Sequence, residues 1–305
     1  MILVFLIHAL LALTFLVGQQ GLKLVAPIWF IGFRMTIAGV LLLSYLLIFK
    51  RAQLRILRQD WLLFFKVGIF HAFIPFVAEF WGLQYLTAPK TALLFNFTPV
   101  FTAVFSYFML REKLVWRQLL GLLIGILGFL PILLDTTPGE LVAGGFFKIS
   151  LPELAVIISV ISSVYAWLLV QKLVQKAYSP ILVNGASMLF SGLLALAVSP
   201  IFETWPSLDL ANFKLLLLWS GILILISNII FYNIYAKLLQ KYSATLLAFA
   251  GLFTPLFAAF WELIFRGQLM SLNFFIALAI VSLGLSLYIF ATPKQLQEIP
   301  DEHTL

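Results

Sequence analysis

Apolar residues run in long continuous blocks, at about 2–20, 28–48, 61–83, 87–110, 117–134, 152–170, 180–200, 213–235, 243–265 and 272–291, parted by short polar segments. At ~20 residues per crossing, each block can pass through about 30 Å of hydrocarbon as a helix. Lipid offers no partner to an open backbone, so the helix is the form each block must take. A membrane β-barrel would show alternating segments of ~10 residues instead. The pattern predicts an all-α membrane protein of ten transmembrane helices.

Composition agrees. Of 305 residues, 63% are hydrophobic and only 10% charged, which excludes a soluble globular enzyme. The 31 Phe, 8 Trp and 9 Tyr carry too much apolar surface for a disordered chain. The net charge of +7 sits in short clusters beside apolar blocks, so it does not point to nucleic acid. Without cysteine there is no disulfide, thiolate nucleophile or Cys-ligated metal. His8, His71 and His303 are scattered, so neither a metal site nor a cofactor is expected. No G-x-x-x-x-G-K-[ST] occurs, so any pumping would draw on a gradient or on exchange.

Cations gather in alternate connections. With the N-terminus inside, twelve Lys and Arg, among them Lys50, Arg55, Arg58 and Lys176, fall on the cytoplasmic side. Only four, Lys23, Lys148, Lys214 and Arg266, fall outside. That bias places both termini in the cytoplasm of a multi-pass protein of the cell (inner) membrane. The first block lacks a basic leader and a small-residue cleavage motif, so it reads as a retained span. Trp29, Trp61, Trp116 and Trp205 stand at block ends, where indole rings anchor. The longest connection, Asp135 to Pro152, is Gly-rich, and no soluble domain is expected.

The chain repeats itself. Pro27, Gly32, Met35 and Gly39 align without gaps on Pro180, Gly185, Met188 and Gly192, at an offset of 153. Phe97-Thr98-Pro99 aligns on Phe253-Thr254-Pro255, and Gly128 on Gly284, at an offset of 156. The first repeat takes residues 1–135 and the second 152–292, leaving 293–305 as a cytoplasmic tail. Five blocks per repeat is an odd number, so the second repeat must enter the membrane inverted. Two inverted five-helix repeats are the pattern of alternating-access transporters, whose substrate lies near the midplane between them.

Particular residues resemble a known family. Ala92 through Pro99-Val-Phe-Thr-Ala, Leu110-Arg-Glu112-Lys-Leu, and Gly121, Gly125 and Gly128 resemble the drug/metabolite transporter superfamily around its fourth and fifth helices. Tyr165-Ala-Trp167, Phe253-Thr-Pro255 and Gly284 resemble the matching positions of the second half. The chain thus resembles a ten-helix EamA-type transporter over nearly its whole length. It departs at Ala12-Leu-Thr-Phe15, where the family has Trp-Gly, and at Gln268, where the first repeat has Glu112. The resemblance implies a central cavity lined by helices 1, 3, 4, 6, 8 and 9, moving a small-molecule substrate without ATP. Glu79-Phe-Trp81 and Phe95-Asn-Phe-Thr-Pro99 are further similar to S-adenosylmethionine carriers of obligate intracellular bacteria, which implies uptake or exchange of that metabolite.

Ionisable groups inside spans cost ~2.5–3.5 kcal/mol each, so they become functional candidates. Glu79 lies deep in the third block beside Trp81, and Glu262 shares a helical stripe with Gly251 and Pro255. Either would bind a cationic group or an exchanged proton. Lys90 opens the fourth block and would meet a carboxylate. Trp81, Tyr165, Trp167 and Tyr232 offer π-faces to an aromatic or cationic moiety. Asn96 is an amide that needs partners in hydrocarbon, and Asn228 leads the i, i+4, i+7 stripe to Tyr232 and Tyr235. These nine residues, Glu79 to Glu262, are the expected substrate site.

Other polar groups read as structural. Arg34 suits an ion pair, Lys66 snorkels to the surface, and His8 and His71 suit hydrogen-bonded packing. Ser159, Ser162 and Ser163 make a small-residue face for close helix contact. Gly121 and Gly125 form a G-x-x-x-G, which suits helix packing or a homodimer interface. No Gly-x-Ser-x-Gly nucleophile motif and no His-Glu-x-x-His is present, so an embedded enzyme is not expected. An exporter of amino acids or lipophilic cations, and a lipid-carrier flippase, remain the alternatives.

Overall fold

Extended residues followed by proline open four helices of this chain. The computed structural model describes residues 2–110, 115–128, 130–133, 138–146, 149–240, 242, 247 and 251–291. Extended Ala26, Thr87, Ser150 and Ser179 each stand just before a helix with proline in its first two positions, where the missing N–H would be unpaired anyway. The order is α1 (Ile2–Leu22), α2 (Pro27–Phe49), α3 (Arg58–Leu83), α4 (88–110) and α5 (Trp116–Leu127). Two short helical turns and a two-strand hairpin, β1 (Gly145–Phe146) with β2 (Ile149–Ser150), follow. Then come α6 (Leu151–Gln175), α7 (Pro180–Phe202), α8 (Leu210–Leu238), α9 (Thr254–Arg266) and α10 (Leu272–Phe290).

Among the described residues α2, α3, α6, α7 and α8 are long and apolar enough to cross a membrane. Shorter apolar helices cover Leu6–Leu22, Trp116–Leu127 and Leu272–Gly284. The Arg-Glu112-Lys segment, Lys148, Lys241, His303 and the 293–305 tail lie outside the described residues.

Packing follows the repeat. α2 lies against α7, and α5 against α10; α1 meets α9 as α6 meets α4, and α1 meets α8 as α6 meets α3. Exchanging the two halves of the chain maps each of these contacts onto itself or onto another. The α2–α7 contact is closest at the repeat-related glycines. A Cβ on Gly39 would strike the Leu189 backbone, and one on Gly192 the Thr36 backbone. Gly284 meets Gly121 and Gly125 backbone in the same way. The G-x-x-x-G face is therefore occupied within the chain, by α10, and is not free for a second copy.

Two helices per half are irregular at matching places. α3 is π-helical over Gly68–Phe73 and α8 over Ile224–Phe231, again 156 residues apart at their starts. A 3-10 turn, Phe95–Phe97, interrupts α4, and its counterpart Gly251–Phe253 precedes α9. Proline explains the turns. Pro99 cannot donate to the Phe95 carbonyl, and the Thr98 hydroxyl takes that carbonyl instead at 2.5 Å.

The exterior is apolar, with Phe49, Phe108, Phe202, Phe265 and Phe290 all exposed, as a lipid-facing surface requires. Trp61, Trp116 and Trp205 are exposed at helix ends, while Trp29 is partly buried and stacked on Phe33.

Candidate functional site

Three of the irregular segments, through Phe95, Ser227 with Phe231, and Gly251, reach a cavity of about 90 Å³ among the helices; the π-helical stretch of α3 lies one layer back. Its walls are His8, Leu11, Thr14 and Phe15 of α1, Arg34 of α2, Phe76, Glu79 and Phe80 of α3, and Phe95 and Thr98 of α4. Ser163 and Trp167 of α6, Ser227, Phe231, Tyr232 and Tyr235 of α8, and Gly251 with Thr254 complete them. These are the helices that the family resemblance implies, with α2 added through Arg34. Breaking helical hydrogen bonding here exposes polar backbone where a bilayer supplies none, which is tolerated only where it lines a cavity or protein.

Three of the nine expected site residues lie on the wall: Glu79, Trp167 and Tyr232. The Trp167 and Tyr232 rings sit 5.2 Å apart, and His71 packs edge-on against both, at 4.4 and 4.9 Å. His71 is thus a wall support one layer back. His8 reaches the wall itself, its Nδ1 3.2 Å from Thr254 Oγ1.

The other six stand elsewhere. Trp81 packs on Tyr85 along an outer cleft shared with Ala26 and Phe73. Lys90 is buried 2.6 Å from Glu140 and 2.9 Å from Glu153, which binds the β-hairpin segment to α4 and α6. It has its carboxylates already, which is why it does not reach towards a ligand. Asn96 is buried next to Phe95 but off the wall. Tyr165 is held edge-on by Phe70 at 5.1 Å. Asn228 points its amide at the Met35 and Met188 sulfurs, 3.2 and 3.6 Å away.

Glu262 is completely buried, paired with Arg266 at 2.9 Å. Arg266 also donates to Gln19 at 2.8 Å, and Gln19 donates to the Leu86 carbonyl at 2.7 Å. This latch joins α1, α9 and the α3–α4 turn at one end of the helices. The opposite, basic end has a latch too. Lys176 and Tyr178 meet Asp60 at 2.6 and 2.8 Å, and Tyr178 accepts from the Leu57 N–H at 3.1 Å. Beyond it opens a wide cleft with Lys50, Arg55, Lys176 and Lys237 on its walls.

Sequence reasoning read Arg34, Ser163 and His8 as structural, yet all three are on the cavity wall. Arg34 is on the cavity wall and makes no ion pair among the described residues; the Phe76 and Phe80 rings hold it instead, 4.9 and 4.7 Å from the guanidinium carbon. Ser163, taken for helix packing, also reaches the wall, whereas Ser162 does pack, donating to the Phe70 carbonyl at 2.9 Å. The available signal for Arg34 was its place seven residues inside a span, too deep for snorkelling.

Such a fold, with helices broken around a small central cavity and latches at both ends, is that of a membrane transporter. Residues 1–134 and 150–290 match the EamA-like transporter family, and the chain belongs to it. It is 34% identical over 273 residues to the S-adenosylmethionine/S-adenosylhomocysteine transporter of Chlamydia muridarum (strain MoPn / Nigg), covering 89% of this chain and 85% of that one. The protein of the same name from Chlamydia trachomatis serovar L2 is 33% identical, with 89% and 83% covered. The uncharacterized transporter YoaV of Bacillus subtilis (strain 168) is 23% identical, with 92% and 94% covered. A solved crystal structure, 19% identical, superposes with a TM-score of 0.66 over 94% of this chain and 97% of its own, and so shares the fold.

Proposed function

We propose that this chain is a secondary, ATP-independent carrier, not an enzyme, which exchanges S-adenosylmethionine for S-adenosylhomocysteine across the inner membrane by alternating access. The carrying observation is the cavity: a buried carboxylate, Glu79, shares its wall with the Trp167 and Tyr232 rings. A sulfonium or ammonium group is matched by a carboxylate and by π-faces, and an adenine ring stacks on the same aromatics. Kinship supports the choice of metabolite, since relatives at 33–34% identity over 89% of the chain carry it in their names.

In this reading ten helices form two inverted five-helix repeats, with both termini cytoplasmic. The half-exchange symmetry of the contacts and the paired breaks in α3 and α8, and around Thr98 and Thr254, support it. The cavity of about 90 Å³ falls below the ~300–1,000 Å³ of sites that hold metabolites, which supports an occluded conformation. Turnover then opens one latch at a time. Asp60 with Lys176 guards the cytoplasmic end, and Glu262 with Arg266 the outer end.

Uptake of labelled S-adenosylmethionine into proteoliposomes, with and without internal S-adenosylhomocysteine, tests the proposal. Saturable uptake that internal S-adenosylhomocysteine accelerates, and that Glu79→Gln abolishes, is the expected result. Uptake no greater than in empty liposomes overturns it.

A further inference from the structure

Resting on that function, we propose that Arg34 anchors the α-carboxylate of the substrate, which makes the cavity selective for amino-acid-bearing ligands over amines, purines and lipophilic cations. Arg34 is fully buried, and its guanidinium sits at the cavity wall. Phe30, Phe76 and Phe80 lie 5.9, 4.9 and 4.7 Å from its central carbon. Rings at that range engage the π-face of the cation, and they supply no oxygen for its in-plane N–H groups. The consequence is visible in the hydrogen bonding: Nε and Nη2 both lack a partner.

Those two nitrogens form one edge of the guanidinium, the edge from which two parallel N–H bonds fork onto a carboxylate. Arginine keeps its proton at any physiological pH, so the group cannot escape its burial by becoming neutral. A buried cation with an unmet donor edge is costly until an anion arrives. Glu79 lies near enough to act on Arg34 electrostatically, but it makes no contact within 4.0 Å and so leaves that donor edge unfilled. The arrangement thus leaves one cationic fork and one carboxylate on the same wall for a zwitterion to bridge.

Helix packing does not call for this arginine. At the repeat-related position α7 carries Ser187, which is also buried and bonds its own helix at the Asn184 carbonyl, 3.0 Å away. The α2–α7 contact therefore accommodates a small residue at this register. The cation belongs to the first repeat alone and polarises the cavity towards α2.

Competition against labelled S-adenosylmethionine uptake decides the matter, using S-adenosylmethionine and its decarboxylated analogue as competitors. In the wild-type protein the analogue should compete about 100-fold more weakly, as befits loss of a charge-assisted bidentate pair. In Arg34→Ala the parent should weaken and the two should differ by no more than about threefold, because the discriminating group is gone. Equal competition in the wild type overturns the Arg34 assignment alone, and this comparison stands even where Arg34→Ala does not fold. Undiminished discrimination in a folded Arg34→Ala overturns it as well. Absence of saturable wild-type uptake overturns the proposed function, and this assignment with it.

Discussion

Arg266 reaches back one helical turn to Glu262, Nη1 to Oε1 at 2.9 Å, while its second terminal nitrogen lies 2.8 Å from Gln19 Oε1 on α1. One side chain thereby couples a buried acid of α9 to the neighbouring helix α1. Because Glu262 is completely buried and Arg266 only partly so, the pair is shielded from salt on its acidic side.

Replacing that acid should release the latch. In Glu262→Gln the amide still fits, but Arg266 loses its counter-charge. Exchange should fall at least about tenfold, the scale expected when one partner of a buried charge pair is removed. The chain has no cysteine, so Ser163→Cys provides a single reporter on the cavity wall. Its labelling by an impermeant maleimide from the Arg266 end should accelerate in the Glu262→Gln background. Unchanged exchange and labelling would remove the latch from the mechanism.

The basic end should respond in the same sense, from its own side of the membrane. Asp60→Asn leaves Lys176 and Tyr178 without a carboxylate, so the Ser163→Cys reporter should label faster from that end and no faster from the other. Lys176 is 52% exposed, and the effect should shrink as salt rises from low to high concentration. Labelling that ignores both the substitution and the salt would argue against a latch here.

Glu203 caps a helix and does not line the cavity. Its two carboxylate oxygens accept the Ile28 and Trp29 N–H groups at 2.7 and 2.8 Å, capping α2 from the far end of α7. Glu203→Gln removes the charge facing that helix N-terminus and should cost about 1–2 kcal/mol. Thermal unfolding in detergent should show a lowered Tm. Uptake per folded molecule should match the wild type.

Glycines separate in the same assay. Gly192→Ala drives a methyl into the Thr36 backbone, and such overpacking costs about 1–3 kcal/mol. Gly221→Ala meets nothing within 4 Å and should be neutral or stabilising by up to ~1 kcal/mol. Equal Tm values for the two variants would contradict the close α2–α7 approach.

Glu79, Trp167 and Tyr232 were legible as candidates, being a carboxylate and large amphipathic rings inside apolar blocks, and the fold brings these three to the cavity wall. Lys90 and Glu262 looked equally functional by that rule and are paired within the protein, with Glu140, Glu153 and Arg266. The Glu140 and Glu153 partners come from a connection and a helix start 50 or more residues away, so no spacing along α4 announces them. Arg34 went the other way. It read as half of an ion pair, and it proved to be held by rings from α2 and α3 with an edge left open.

By itself the sequence determined the membrane class, the positions of the apolar helices and the duplication, since hydropathy is local and a repeat is self-similarity along one string. Only the tertiary structure decided which polar groups face the cavity. A buried charge requires a partner, and whether protein or ligand supplies it depends on which helices the fold brings within hydrogen-bond reach.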